Sequence, residues 1–158
     1  MSKPAGNMPI VGLGLHWNEL EIGQKFRTIG RTITEADIVQ FTSLAGLKLP
    51  VFIDDEWCRR NTPYGGRISP GLMTAAYAVG MMEDVLGGNT LAALSLDEFR
   101  FHLPVRPGDT LRAQVEVAGK RDTSDGVRGI LRLTVQVLNQ RDEGVMGFAG
   151  TFLMRKGA

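Results

Sequence analysis

The chain has 158 residues, 43% hydrophobic and 22% charged, which suits one globular domain able to bury a core without staples. With 18 basic and 17 acidic side chains the net charge is +1, so no global field draws a nucleic acid or an anionic membrane. Cys58 is the single cysteine, which excludes an internal disulfide and a cysteine-rich metal site and fits a reducing, cytoplasmic setting.

In chain order, residues 1–15 form a Gly/Pro-containing lead-in, expected to be mobile unless a partner pins it, ahead of a single domain over 16–158. The lead-in lacks the apolar length and cleavage pattern of a signal peptide. No stretch of the chain reaches the length needed to span a bilayer. Lys25–Ile33 alternates as a first strand. Thr34 then caps a helix with Glu35 and Asp37 in its first turn; Ile38, Phe41, Thr42 and Ala45 make its buried face, and Gly46 stops it.

Residues 47–67 read as an irregular segment with a short helical turn over Asp55–Arg60. A loop this long inside a compact domain is more often functional than idle. Ser69-Pro70-Gly71 reads as N-cap, first-turn proline and a small residue opening a helix to about Leu86. Its apolar residues, from Leu72 and Met73 to Val85 and Leu86, cover nearly every face and predict a buried helix. Gly87-Gly88-Asn89 ends it.

Strands follow: Leu91–Val105, a turn at Arg106–Asp109, then two segments of clear period-two alternation. Leu111, Ala113, Val115 and Val117 mark the first, and Leu131, Leu133, Val135 and Val137 the second. Val145–Met154 closes the chain. Turns at Ser124-Asp125-Gly126 and Arg141–Gly144 argue an antiparallel sheet and an α+β class.

Two stretches carry a family resemblance. Phe99-Arg100-Phe101-His102-Leu103-Pro104-Val105-Arg106-Pro107-Gly108-Asp109-Thr110-Leu111 is similar to the F-x-x-P-V-x-P-G-D-T-L segment of the MaoC-like dehydratases, which include (R)-specific enoyl-CoA hydratases. Phe41, Ala45-Gly46, Pro50, Asp54, Gly65-Gly66, Arg67-Ile68 and Gly71 resemble the frame of that family's active-site segment. The resemblance runs from about Trp17 to Arg155. It implies a hotdog fold, an antiparallel sheet wrapped around one long buried helix, with an acyl thioester of coenzyme A or of an acyl-carrier protein as ligand. It also implies dimerisation, as a homodimer or as a heterodimer with a catalytic hotdog subunit. Neither metal nor cofactor is expected.

Against the family pattern, the catalytic Asp falls on Leu47, the Asn on Leu49 and the catalytic His on Phe52. Ser69-Pro70 stands where the Ala-His before the helix Gly would be. Hydration needs two proton-exchanging groups within reach of one water, worth about 10²–10⁴-fold in rate. Leu47 and Phe52 exchange none.

Asp54 and Asp55 are the candidates for a carboxylate that activates water, as in a hotdog thioesterase, although Asp54 reads equally as a cap for the following turn. His102, by alternation on the opposite face from Phe99 and Phe101, reads as a surface or interface histidine, and His16 as structural. Cys58 reads as a packed thiol. Gly71 keeps the helix start open to a thioester carbonyl, where free N–H groups resemble the family's oxyanion hole; Pro70 removes one donor. Arg67, Arg59 and Arg60 could meet coenzyme A phosphates. Met73, Met81 and Met82 could line an acyl tunnel or simply fill the core.

Three functions stay open at this point: a thioester-binding member of the dehydratase family without its dyad, a non-catalytic subunit of a heteromeric dehydratase, and a carboxylate-dependent thioesterase.

Overall fold

The computed structural model describes residue 12 and residues 14–157; expectations for 1–11 and 13 lie outside them. After a 3₁₀ turn at Trp17–Glu19 come β1 (Lys25–Arg27), β2 (Arg31–Thr32), α1 (Glu35–Ala45), α2 (Pro50–Ile53) and α3 (Asp55–Asn61). Next are α4 (Gly71–Met81), α5 (Glu83–Leu86), β3 (Thr90–Phe101), β4 (Thr110–Asp122), β5 (Arg128–Leu138) and β6 (Gly144–Arg155). The six strands form an antiparallel sheet in the order β1-β4-β5-β6-β3, with β2 also on β4.

Alternation builds this sheet. Val115 pairs with Val135, which pairs with Phe148, and all three turn to one face; Val117, Leu133 and Gly150 form the next row. That face meets Ile38, Met73, Ala78, Met82 and Leu86, and together they make the core. Each of the Ile, Leu and Met side chains taken out of water contributes about 1.5–3 kcal/mol. The sheet curls around α4, which packs on β4.

The expected first strand is two. Between β1 and β2 the Thr28 N–H donates to the Ala113 carbonyl (3.0 Å), while the Thr28 hydroxyl accepts the Ala113 N–H (2.9 Å). A side chain thus takes a backbone place in the ladder and divides the strand. Helix α1 begins as expected: the Thr34 hydroxyl accepts the Asp37 N–H, and the Asp37 carboxylate accepts the Thr34 N–H at 2.7 Å. Gly46, at φ 65°, ends it in the left-handed conformation. Ala45 is exposed rather than buried, as are Ser43 and Leu44 beside it in the last turn.

The helix over 71–86 also differs. Pro70, not Ser69, is the N-cap, and Met82 (φ −82°, ψ −6°) stands between two helical stretches, so the segment divides into α4 and α5. One stripe, Leu72, Ala76 and Gly80 at four-residue spacing, faces outward, with Leu72 64% exposed. One layer of sheet can cover only part of a helix.

Two polar links lock the edges. The Tyr77 hydroxyl of α4 donates to Asp37 (2.7 Å), and the Arg31 guanidinium lies 4.1 Å from the Tyr77 ring centroid. Burial and the Asp37 carboxylate push the Tyr77 phenol up. At the other side Trp17 donates to the Ile130 carbonyl (3.0 Å), with the Lys120 and Lys156 ammonium groups 4.0 and 4.9 Å from its ring.

Candidate functional site

Helix α4 starts at the floor of a cavity of about 420 Å³. Its wall comes from Phe52 of α2, Tyr64 and Ile68 before the helix, Phe101 at the end of β3 and the stretch His102–Val105 after it, and Val145 and Met146 of β6. The first turn is set locally. Pro70 at φ −56° and ψ 135° turns the chain in, and the Met73 and Thr74 N–H groups return to the Pro70 carbonyl at 3.0 and 3.1 Å. The N–H groups of Gly71 and Leu72 remain as donors without an intrahelical acceptor, with the positive end of the helix dipole behind them. Since Pro70 precedes the helix, its missing N–H takes nothing from this pair.

Two hydroxyls sit on the floor: Ser69 (5% exposed) and Thr74 (3% exposed), with oxygens 3.5 Å apart. Ser69 does not cap the helix. Its N–H donates to the Val105 carbonyl (2.7 Å) and its hydroxyl to the Pro70 carbonyl (3.3 Å). No Asp or Glu is among the lining residues. Over Gly71 lies the ring of Phe101: a Cβ on Gly71 would stand 2.5 Å from its Cε1 and 2.8 Å from its Cδ1. Gly71 is therefore small for the sake of a neighbouring ring, whatever else comes near it.

Of the three apolar residues singled out in the sequence, Phe52 lines the cavity, Leu47 is half-buried and Leu49 is exposed. Asp54 caps α3, its carboxylate accepting the Trp57 N–H at 2.8 Å. Asp55 accepts the Arg67 N–H at 2.9 Å and pairs with the Arg59 side chain at 3.8 Å. Arg67 is held between Asp55 and Glu35, joining α3 to the start of α1. Arg60 pairs with Glu56 at 2.6 Å. All three arginines thus carry carboxylate partners in this structure.

Cys58 is fully buried; burial, with Asp55 and Asp54 nearby, pushes its thiol up, away from the reactive thiolate. The His102 N–H donates to the Val145 carbonyl (2.9 Å), and its Nε2 lies 3.9 Å from a Cβ position on Gly147. That puts the imidazole on the outer face of the sheet, away from Phe101, even though the residue borders the cavity. His16 lies beside Gly157. Met73 and Met82 are fully buried in the core and Met81 packs at its margin; Met146 is the methionine at the cavity wall.

Sequence reasoning missed Tyr64, Phe101, Thr74 and Met146 as lining residues. Phe101 lay inside a recognised motif, but its meeting with Gly71 joins positions thirty apart. No group of three or more His, Cys, Asp or Glu side chains suited to a metal occurs among the described residues. A larger cavity of about 540 Å³ lies on the outer face of β1, β4 and β5, lined by Lys25, Arg27, Gln114, Glu116, Thr134 and Gln136.

A curled antiparallel sheet around one central helix, with an apolar cavity at that helix's start, defines a hotdog-fold protein of α+β class. The comparison is direct with a double-hotdog protein of Mycobacterium tuberculosis. The two are 26% identical with a TM-score of 0.83, over 94% of this chain and 46% of that one. Residues 18–138 match the family described as "MaoC like domain", and the chain belongs to the MaoC-like dehydratase family. It is also similar to the monoamine oxidase regulatory protein of Archaeoglobus, with 30% identity, TM-score 0.82, and coverage of 92% of this chain and 97% of that one.

Among curated relatives, 3-hydroxybutyryl-CoA dehydratase of Methylorubrum extorquens is 32% identical over 104 residues, 66% of this chain and 64% of that protein. The chain spans less than half the length of other relatives at similar identity. No described helix is long and apolar enough to cross a membrane.

Proposed function

We propose that this chain binds an acyl thioester, of coenzyme A or of an acyl-carrier protein, in the cavity at the start of α4. In this reading it is a MaoC-like hydratase/dehydratase relative whose acid–base dyad is replaced by Leu47 and Phe52. One observation carries it: Phe52 lines a cavity that offers hydroxyls and helix-start N–H donors but no carboxylate. Such a site can hold and polarise a thioester carbonyl, as an oxyanion hole does. It has no carboxylate–imidazole pair at the helix start to take a proton from water and deliver one to carbon. The Methylorubrum relative is named for a CoA thioester, which supports the ligand class. Hydrolysis through Asp54 or Asp55 is disfavoured, because each carboxylate is spent on a backbone N–H.

The second reading, a non-catalytic subunit paired with a catalytic hotdog chain, gains from the apolar side chains along edge strand β3. A reducing compartment suits the buried, unpaired Cys58 in either case. The test is hydration of a short trans-2-enoyl-CoA, followed by loss of the conjugated double bond, with binding of the saturated acyl-CoA measured alongside. We expect binding without turnover by the wild type, and gain of measurable turnover in the Leu47→Asp/Phe52→His double variant. Brisk turnover by the wild type would overturn the reading.

A further inference from the structure

The two hydroxyls on the cavity floor hold hydrogen-bonding capacity that the chain does not use. Elsewhere a threonine four residues past a helical carbonyl returns its hydroxyl to it: Thr42 donates to Ile38 at 2.7 Å, Thr62 to Cys58 at 2.8 Å and Thr90 to Leu86 at 3.0 Å. Thr74 does not. The carbonyl four residues before it belongs to Pro70, which already receives the Met73 and Thr74 N–H groups at 3.0 and 3.1 Å and the Ser69 hydroxyl at 3.3 Å. A carbonyl oxygen has two lone pairs, so this one is full. The Thr74 hydroxyl is left with the Ser69 hydroxyl at 3.5 Å, well outside the ordinary range for two oxygens. Both side chains are buried by the chain itself, and both line the cavity. A buried hydroxyl without a good partner is costly. Around this pair the wall is apolar, with Ile68, Val105, Val145 and Met146 among the lining residues and no Asp, Glu, Lys or Arg.

We infer that Ser69 and Thr74 together recognise a neutral oxygen on the acyl chain, and so select a hydroxyacyl thioester over an unsubstituted one. This rests on the acyl-thioester reading above and adds two specificity residues to it. An incoming hydroxyl both donates and accepts, so it gives to one member of the pair and takes from the other. An unsubstituted chain leaves the pair as poorly bonded as it finds it. A carboxylate on the chain would lose its water with no cation in the lining to offset the loss. The spacing agrees. Thr74 stands three residues past Gly71, about 4.5 Å along the helix axis. A carbonyl held at the helix start and a hydroxyl two carbons along its chain span that distance.

The experiment is titration calorimetry of the purified chain with 3-hydroxybutyryl-CoA, butyryl-CoA and succinyl-CoA, on wild type, Thr74→Val and Ser69→Ala, with the melting temperature of each protein. The wild type should bind 3-hydroxybutyryl-CoA about tenfold tighter than butyryl-CoA, the worth of good hydrogen bonds to a buried pair, and succinyl-CoA more weakly than either. Thr74→Val puts a methyl in the place of the hydroxyl at nearly constant shape. It should bring the ratio of the first two affinities close to one without lowering the melting temperature, which a hydroxyl kept for the fold would lower. Ser69→Ala should reduce the ratio in part. A wild-type ratio near one, with both thioesters bound, would overturn the inference and leave thioester binding in place; that result needs no variant to fold. A ratio that survives both substitutions would overturn it equally. If none of the three thioesters binds the wild type, the functional reading fails and the role of the pair falls with it.

Discussion

At the scale of single residues, the carboxylates do structural work by accepting N–H and O–H groups. Asp125 accepts the Thr123 hydroxyl at 2.6 Å and the Val127 and Arg128 N–H groups at 3.0 and 3.2 Å, so its carboxyl lies far below the usual range. Asp37 is lowered too, chiefly by the Thr34 hydroxyl, with the Thr34 N–H, Tyr77 and Arg31 adding and burial opposing. A carboxylate depressed in the folded state contributes stability that is fully present above its unfolded pKa, about 3.9, and lost as pH falls through the lower folded value. Urea midpoints should therefore hold steady above about pH 5 and fall as acid is added below about pH 4. Asp125→Asn should lower the neutral-pH midpoint and flatten that acid slope; an unchanged slope would mean the turn is not part of it.

At the scale of elements, close approaches decide what may be substituted. Gly129 of β5 lies under Trp17: a Cβ there would run into the indole ring. Gly129→Ala should push the indole off its Ile130 hydrogen bond and away from Lys120, costing about 1–3 kcal/mol as an overpacked site. A red-shifted tryptophan emission with a lowered melting temperature would report it, and an unchanged spectrum would contradict it. The same scale shows what sequence could give. Caps and alternation are local, so Thr34, Gly46 and the inward rows of β4 and β5 were legible as they stand. The break at Thr28 was not, because the hydroxyl that replaces a ladder bond meets its partner Ala113 far along the chain. The helix start was half legible: the Ser-Pro-Gly punctuation marked it, but Ser69 is drawn away from capping by the Val105 carbonyl. Of the cavity wall, Phe52 and Gly71 were named from the sequence, while Phe101 was not, because its meeting with Gly71 joins positions far apart in the chain.

At the scale of the whole molecule, one border of the sheet, that of β3, has no partner strand among the described residues. β3 is the end strand of the order, 12 residues long, and Leu91, Leu94, Leu96 and Phe101 are exposed along it, near the outward stripe of α4. A long apolar edge invites pairing, and proteins that leave one open usually fill it with another chain. We expect the protein to sediment as a dimer closed through β3, or to capture a catalytic hotdog chain there. Leu94→Lys with Leu96→Lys should give a folded monomer, since charged edge side chains block strand addition. A wild type that stays monomeric at tens of micromolar would argue that this edge is covered otherwise.

The place of β3 also sets a timetable for synthesis. Among the described residues its neighbour in the sheet is β6, the last of the described strands, roughly fifty residues later. At about 5–20 residues per second the ribosome exposes β3 for several seconds before β6 can follow. During that interval the nascent chain presents an apolar ribbon with two free borders, so a truncation that removes β6 would leave a permanent substrate for chaperones and proteases.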